Sequence, residues 1–313
     1  MCAFLKNVSL IFDLSWSASM NVAAVQRHLK RNALAYLAAL PMALTVLIAY
    51  MGTMFWSVRL SFSSSRMLPK SDFVGFAQYE RLFSTSRWVT SLENLLVIAF
   101  LFLAICFVLG FLLAVFIDQK IKAESFFRTV FLFPYAMSFI VTGLVWQWIF
   151  NPQLGIQKTM ISLGWESFSF DWIVNPDMVL YTVVIAAVWQ GAGLVMALLL
   201  AGLRGIDEDL WKATKIDGIP TWRVYISIIL PMLRPMIITT VVLLSISIIK
   251  MYDVVVAMTG GGPGVASEVP AKFIMDNLFE RANIGLATAA STVMLTTVLC
   301  LIAPFIYSNY IKK

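Results

Sequence analysis

The chain has 313 residues, of which 60% are hydrophobic and only 13% charged, and its formal net charge is +6. Soluble domains carry about 25% charged residues and roughly 45–50% apolar ones, so a mean hydropathy of +0.85 excludes a water-soluble globule and requires apolar surface that faces lipid. The basic excess is not a nucleic-acid footprint, because the bases fall in short segments between apolar runs, where they report topology.

The expected fold is therefore an all-α polytopic membrane protein. Cys2, Cys106 and Cys300 give neither a disulfide framework nor metal spacing. His28, the single histidine, sits among Arg27, Lys30 and Arg31 as part of a basic flank. No GxxxxGK[ST] occurs, so the chain has no phosphate-binding loop and is expected not to hydrolyse ATP itself.

Residues 1–32 read as a cytoplasmic segment. Cys2 to Trp16 is partly apolar but too short to span and is broken by Lys6 and Asp13. Met20 precedes a basic run and then a clean apolar stretch, which makes it a candidate native start, with 1–19 outside the native chain. Intact-mass measurement of the native protein decides this.

Six apolar runs follow, at 33–58, 95–117, 129–150, 178–203, from after Pro231 to 258, and at 284–307. Each is long enough for the roughly 20 residues that carry a helix across a bilayer. Residues 33–308 are thus expected to form one six-span domain with both termini on the same side, closed by a basic tail at 309–313. Arg27, Lys30, Arg31, Lys120, Lys122, Arg128, Arg204, Lys212, Lys215, Arg223, Lys312 and Lys313 lie on the side of the termini and outnumber Arg59, Arg66, Lys70, Arg81 and Arg87 of the first opposite loop. On balance the termini and the segment between the fourth and fifth runs are cytoplasmic.

That segment, from Ile206 to Pro235, is the one long polar insert. It reads as two short helices broken at Asp217-Gly218-Ile219-Pro220. Asp207, Glu208 and Asp209 suit a first helical turn, where free amides carry partial positive charge. Leu210, Trp211, Thr214 and Ile216 are expected on one face, with Lys212 and Lys215 on the other. Gly218 supplies a permissive backbone, Pro220 opens the second helix and Pro231 ends it. By spacing alone, the insert is either a docking element or an ordinary solvated loop.

Polar groups inside spans are costly and suggest a pathway. Trp189, Gln190 and Gly191 interrupt the fourth run, Trp146 and Gln147 the third, and Lys250, Tyr252 and Asp253 the fifth. A sugar needs an aromatic plate and a few fixed hydrogen-bonding groups in an apolar wall; Trp189 with Gln190 supplies that chemistry, and Gly191 lets a ring approach the backbone. The structural alternatives are an interface belt for Trp146 and Trp148 and an internal ion pair for Lys250 and Asp253, which are three apart on one helix face. Arg234 reads as a base that snorkels to the cytoplasmic interface.

The central insert resembles the coupling loop of permease subunits in binding-protein-dependent ABC importers, whose pattern is Glu-Ala-Ala, three residues, Gly, then Leu-Pro. Lys212-Ala213-Thr214, Gly218 and Leu230-Pro231 stand at the matching positions, and Asp217 also fits, while Lys212 and Thr214 depart from the usual Glu and Ala. Phe73-Val74-Gly75-Phe76-Ala77-Gln78-Tyr79 in the first outer loop resembles an element of the sugar-transporting members, and Leu132-Phe133-Pro134-Tyr135-Ala136 and Trp148-Ile149-Phe150-Asn151 fit the same group. Met258-Thr259-Gly260-Gly261-Gly262-Pro263 is similar to the larger-type subunit of the maltose-permease branch.

The resemblance implies a type I importer permease that is not an enzyme and binds no cofactor, with ATP and Mg used by two separate ATPase subunits. It also implies a second permease subunit and an extracytoplasmic sugar-binding protein, in a bacterial inner membrane. Contact with the ATPase falls on Asp207, Glu208, Leu210, Trp211, Lys212, Ala213, Thr214, Asp217 and Gly218, within coupling loop 206–230, with Trp211 as apolar anchor. Substrate contacts fall on Gln190, Gly191, Leu194, Ser247, Ile249 and Lys250, beside Trp189, Tyr252 and Asp253. A glycerol-phosphate substrate, met by Lys250, is the nearer rival to a sugar. An ion-coupled secondary transporter is a more distant one: Asp253 is its only clear acid within the spans, and it leaves the insert unexplained.

Overall fold

The computed structural model describes residues 32–306 apart from 71, 120 and 250. The expectations placed on Met20, His28, Lys250 and the tail at 309–313 lie outside the described residues. The chain divides into two compact units, residues 1–56 and 57–313.

The described part of the first unit is the start of α1 (Ala33–Leu60), an apolar helix of 28 residues that carries the chain into the second unit. Pro41 lies inside it and has no N–H for the helical ladder. Thr45 Oγ1 donates to the Pro41 carbonyl at 2.9 Å, and the turns after it widen to a π-helix over Val46–Gly52.

The second unit is helical, and among its described residues the sole strand-like feature is the Arg66–Leu68 bridge. After α2 (Ala77–Ser84) comes α3 (Ser86–Asp118), 33 residues long. At about 1.5 Å per residue it is roughly 50 Å, well beyond a hydrocarbon layer of about 30 Å. The apolar run at 95–117 is only its latter part. The polar turns before it are helical because they contain no breaker and bury Trp88, Ser91 and Asn94.

The expected single span at 129–150 is broken. Helix α4 (Glu124–Leu132) ends in a 3-10 turn, Phe133–Ala136, and α5 (Phe139–Phe150) leaves at a 100° bend. Met137 and Ser138 are extended between them, with ψ of 150° and 143°. Such irregular backbone persists at membrane depth only when its polar groups find partners in the protein.

Helix α6 (Ile156–Ser162) precedes α7 (Val179–Leu203), the central helix of the bundle. The most apolar window of α7 is 72% buried against 22% for that of α3, so α7 is walled by this chain where α3 keeps an exposed apolar side. The main core joins Val183, Met196 and Leu199 of α7 to Ile98 and Phe102 of α3.

The insert forms α8 (Glu208–Ile216) and α9 (Thr221–Met232), which meets α10 (Arg234–Ile249) at a 73° bend. Pro231 does not end the second helix of the insert, contrary to expectation. The ladder fails at Leu233, where ψ is 0°, because Pro235 has no N–H to donate to the Pro231 carbonyl. Pro231 likewise cannot donate four residues back, and the preceding Tyr225–Ile229 is a π-helix. The fifth apolar run is thus divided again, with α11 (Tyr252–Met258) as a separate helix. Helix α12 (Pro270–Met275) passes into a π-helix, Asp276–Glu280, and α13 (Ile284–Ile306) closes the described chain.

Charged networks sew the two ends of this unit. At the end carrying α8 and α9, Arg204 at the close of α7 meets Glu124 at 2.9 Å and Asp118 at 3.7 Å, and Arg128 also meets Glu124. The Arg204 hydrogen bond holds the Glu124 carboxyl below the usual carboxylate range. At the opposite end, Arg87 donates to Glu268 at 2.6 Å and to Asp276, which also accepts from Lys272 at 2.7 Å. Beside it lies a second core of Leu82, Trp88, Phe273 and Leu286, with the Trp88 and Phe273 ring centroids 5.3 Å apart.

Burial alone would push the Asp276 carboxyl up, yet hydrogen bonds from Lys272 and Arg87 hold it below its ordinary value. A depressed folded-state pKa stabilises the fold above the ordinary carboxylate value, about 3.9, and that contribution is lost as pH falls through the folded-state value. Melting temperatures in nanodiscs are expected to drop as pH falls below the ordinary carboxylate value of about 3.9, and less steeply in Asp276→Asn.

Candidate functional site

The insert is a rigid helix–turn–helix. Asp207 caps α8, its side chain accepting from Asp209 N at 2.9 Å, and Lys212 Nζ donates to Asp209 at 2.8 Å. Glu208 sits in the first turn and Lys215 in the last, both favourable to the helix dipole. Leu210 and Trp211 pack onto the main core, and Thr214 is buried. The Trp211 ring lies 5.5 Å from Tyr225, so this tryptophan ties α8 to α9 within the chain. Gly218 has φ of +65°, the left-handed conformation in which a side chain is strained, and Ile219 N then reaches back to the Thr214 carbonyl at 3.1 Å.

Ile216 does not join the packed face assigned to it from the sequence. At 3.6 residues per turn it points well away from Leu210 and Thr214, and it is 85% exposed. Trp222 and Ile226 are exposed as well. Their spacing of four puts them on one face of α9, a signal present in the sequence but overshadowed by Trp211. Ala213 and Asp217 are also exposed. The solvent side of the insert therefore carries an apolar set, Ile216, Trp222 and Ile226, among charges.

In the bundle, Gln190 is the key polar side chain. It is buried, and its Nε2 donates to the carbonyl of Met137, in the break between α4 and α5, at 2.8 Å. Among the described residues its Oε1, which is buried, has no hydrogen-bond partner. Phe102, Tyr135, Gln190, Gly191, Leu194 and Ser247 line a cavity of about 20 Å³, room for a water but far below the roughly 300 Å³ at which ligand pockets begin. The cavity is too small for a ligand in this structure.

Gly191 lines the cavity, and the lack of a side chain there also lets α7 approach α3. A Cβ there would stand 2.9 Å from Phe102 and 3.2 Å from the Cys106 sulfur. Trp189 is partly exposed and meets Trp146 edge-on at 5.8 Å. Trp146 continues to Phe150 at 5.0 Å, while Trp148 is exposed as an interface residue would be. Ile249 is partly exposed and Tyr252 and Asp253 are half-buried; these three do not line the cavity. Gln190→Leu strands the Met137 carbonyl and is expected to cost about 1–3 kcal/mol, read as a lower melting temperature with unchanged assembly.

At the end remote from α8 and α9, Gln147, Asn151, Met258, Thr259 and Pro263 line a wider cavity of about 310 Å³. The glycine run on its rim is not a slack loop. Ser267 Oγ lies 2.7 Å from Thr259 Oγ1 and donates to the Gly262 carbonyl at 2.7 Å. The Phe73-to-Tyr79 element is likewise structural: Phe62 packs against Phe76 and Tyr79 at 5.5 Å.

A bent apolar bundle with a polar helix–turn–helix at one end and a cavity at the other is the frame for comparison with known proteins. The family described as "Binding-protein-dependent transport system inner membrane component" matches residues 107–313. The chain belongs to this family. Among its relatives, a probable ABC transporter permease protein of Pyrococcus horikoshii is 32% identical over 257 residues, covering 82% of this chain and 88% of that protein. A xylose/arabinose import permease protein of Haloferax volcanii is 30% identical over 275 residues, covering 87% and 86%. The crystal structure of a bacterial ABC transporter involved in import of the acidic polysaccharide alginate superposes with a TM-score of 0.80 at 20% identity, over 92% of this chain and 99% of that one. That likeness is one of fold. This chain is a membrane transport component, not an enzyme, and the α8–α9 segment lies inside the matched region of the permease.

Proposed function

We propose that this permease forms half of the pore of an ATP-driven ABC importer that moves a sugar inward across the cytoplasmic membrane. It spans the membrane six times, with both termini and α8–α9 cytoplasmic. A second permease completes the pore, two ATPase subunits drive it and an extracytoplasmic binding protein delivers the sugar. The observation that carries this reading is the exposed apolar set Ile216, Trp222 and Ile226, held on a capped turn among charges. Exposed apolar groups on a polar surface mark a protein-binding site.

In this reading the ATPase grips α8–α9 and moves it. The Trp211–Tyr225 contact and the Arg204–Glu124 pair pass that motion to α7 and α4. The break between α4 and α5, bridged by Gln190, is where the closed cavity opens. Its walls offer the aromatic faces of Phe102 and Tyr135 and the hydrogen-bonding groups of Gln190 and Ser247, the mixture a sugar requires. The name of the Haloferax relative supports a sugar as well. The rival substrate, glycerol phosphate, would be met by Lys250, which lies outside the described residues.

Purification of the assembly through a tag on this chain tests the proposal. It expects a co-purifying ATPase whose activity rises with sugar and binding protein. If no ATPase co-purifies and uptake instead follows a proton or sodium gradient, the reading is wrong.

A further inference from the structure

The cavity of about 310 Å³ at the end remote from α8 and α9 is separate from the one at Gln190, and the two linings share no residue. Gln147, Asn151 and Thr259 give its polar lining, and Ile173, Val174 and Met258 its apolar lining. Its volume reaches the roughly 300 Å³ at which ligand pockets begin, and no charged side chain lines it among the described residues. Gln147 and Asn151 stand one turn apart at the end of α5, while Met258 and Thr259 close α11. The two helices touch at Gly143, where a Cβ would lie 2.7 Å from that of Ala257 and 3.0 Å from the Val254 carbonyl oxygen. The cavity residues of α5 follow one and two turns beyond that contact.

The amides set this cavity apart. At the inner cavity Gln190 Nε2 is already committed to the Met137 carbonyl. Gln147 makes no hydrogen bond among the described residues, although a carboxamide offers two donors and two acceptor lone pairs. Asn151 Oδ1 accepts from Gln153 N at 2.8 Å and from Leu154 N at 3.2 Å. Those bonds fix the amide and leave its Nδ2 donors free among the described residues. The other walls are fixed as well. Gly261 N donates to Thr259 Oγ1 at 3.2 Å, and Ser267 N donates to the Gly261 carbonyl at 3.2 Å. Phe170 N donates to Gln157 Oε1 at 2.7 Å, which ties the chain before Ile173 to α6. A preformed site needs little ordering when it binds.

We propose that this cavity is an entry subsite, which holds one neutral sugar unit of the cargo before it reaches the cavity at Gln190. The proposal rests on the importer reading and on its topology, which put the cavity on the outer side. Uncommitted amide groups match sugar hydroxyls, which both donate and accept, and the surfaces of Ile173, Val174 and Met258 match the C–H faces. The rings nearby pack on one another: Trp172 and Phe170 are 4.9 Å apart, Phe170 and Phe150 5.3 Å, Phe150 and Trp146 5.0 Å, and Trp146 and Trp189 5.8 Å. This row ties the sequence neighbours of Gln147 and Ile173 to Trp189, the neighbour of Gln190, and so braces one cavity against the other. With no aromatic plate in its own lining, the outer cavity grips weakly, which suits a station that cargo must leave again.

The test uses the whole complex in nanodiscs with Val174→Cys, and alkylation by a maleimide is followed at residue 174 by peptide mass. Val174 is exposed and lines the cavity. Xylose, maltose and trehalose are the probes, and glycerol 3-phosphate is the anionic control. At least one of the three sugars is expected to slow alkylation, by about tenfold at about ten times its Kd, because only the empty fraction reacts. Adding Gln147→Leu is expected to raise the half-protecting concentration at least roughly tenfold, the loss of one or two hydrogen bonds. An unchanged melting temperature confirms folding of that variant. Phe279→Cys, exposed but outside the lining, is expected to react at one rate with or without sugar. Protection by none of the three sugars, protection that survives Gln147→Leu, or equal protection by glycerol 3-phosphate overturns the subsite. Equal slowing at Phe279→Cys overturns it too, since the effect is then not local. Failure of any ATPase to co-purify defeats the importer reading instead, and the alkylation arm still reports on the cavity.

Discussion

Arg87→Ala is expected to destabilise the second unit by about 3–5 kcal/mol, the scale for breaking a buried ion pair from one side. Glu268 and Asp276 are only 2% and 8% exposed in their side chains. Without Arg87, Glu268 loses its charge partner among the described residues, and its Oε1 already lacks a hydrogen bond. Among the described residues Asp276 keeps only Lys272 as an ion-pair partner. The guanidinium also lies 5.7 Å from the centre of the Phe273 ring, so a favourable cation–π contact is lost with it. The loss is read by thermal unfolding in nanodiscs, followed through tryptophan fluorescence, which includes the adjoining Trp88. Arg87→Met combined with Glu268→Gln and Asp276→Asn is expected to recover much of the loss, because it removes the stranded charges as well as their partner. A drop below about 1 kcal/mol in the single variant would place the network in the weak class of surface pairs.

That network also shows what the sequence could and could not disclose. Arg87 read as one of several bases weakening the charge asymmetry, since its partners are 181 and 189 residues away and no local pattern announces them. The apolar runs were legible because a bilayer demands about 20 consecutive apolar residues, and the starts of α7 and α13 fell within a residue of the run boundaries. The breaks in the third and fifth runs were not. Apolar composition is indifferent to a bend, and the Met137 carbonyl depends on Gln190 from a distant helix. In the insert, the acidic first turn and the break at Gly218 are local and legible, whereas the capping bond of Asp207 to Asp209 N emerges only from the structure. Ile216 was assigned to the wrong face because apolar character was weighed above helical phase. Gly191 was legible as a close approach, but that Phe102 and Cys106 stand beside it is a tertiary fact.

Trp222→Ala is expected to cut recovery of the ATPase and its stimulated activity by at least about 30-fold, the cost of losing an aromatic hot spot worth 2 kcal/mol or more. Its melting temperature should barely move, because the side chain is 66% exposed and surface substitutions away from a packed contact stay within about 0.5 kcal/mol. Trp211→Ala should behave in the opposite sense. It removes the ring contact with Tyr225 and a place on the core, so melting falls first and coupling falls with it. Gly218→Val separates geometry from contact. A Cβ at Gly218 meets nothing within 4 Å, so its effect is backbone strain alone, about 1–2 kcal/mol at a left-handed position. If the turn only connects two helices, that strain lowers stability slightly and leaves stimulated ATP hydrolysis intact. If the turn sets the angle at which Ile216 and Trp222 meet the ATPase, hydrolysis uncouples from sugar and binding protein while the complex still assembles. The second outcome is expected, because Ile216 and Trp222 are both exposed and lie on opposite sides of Gly218 in the chain, so the turn sets how the two helices present them.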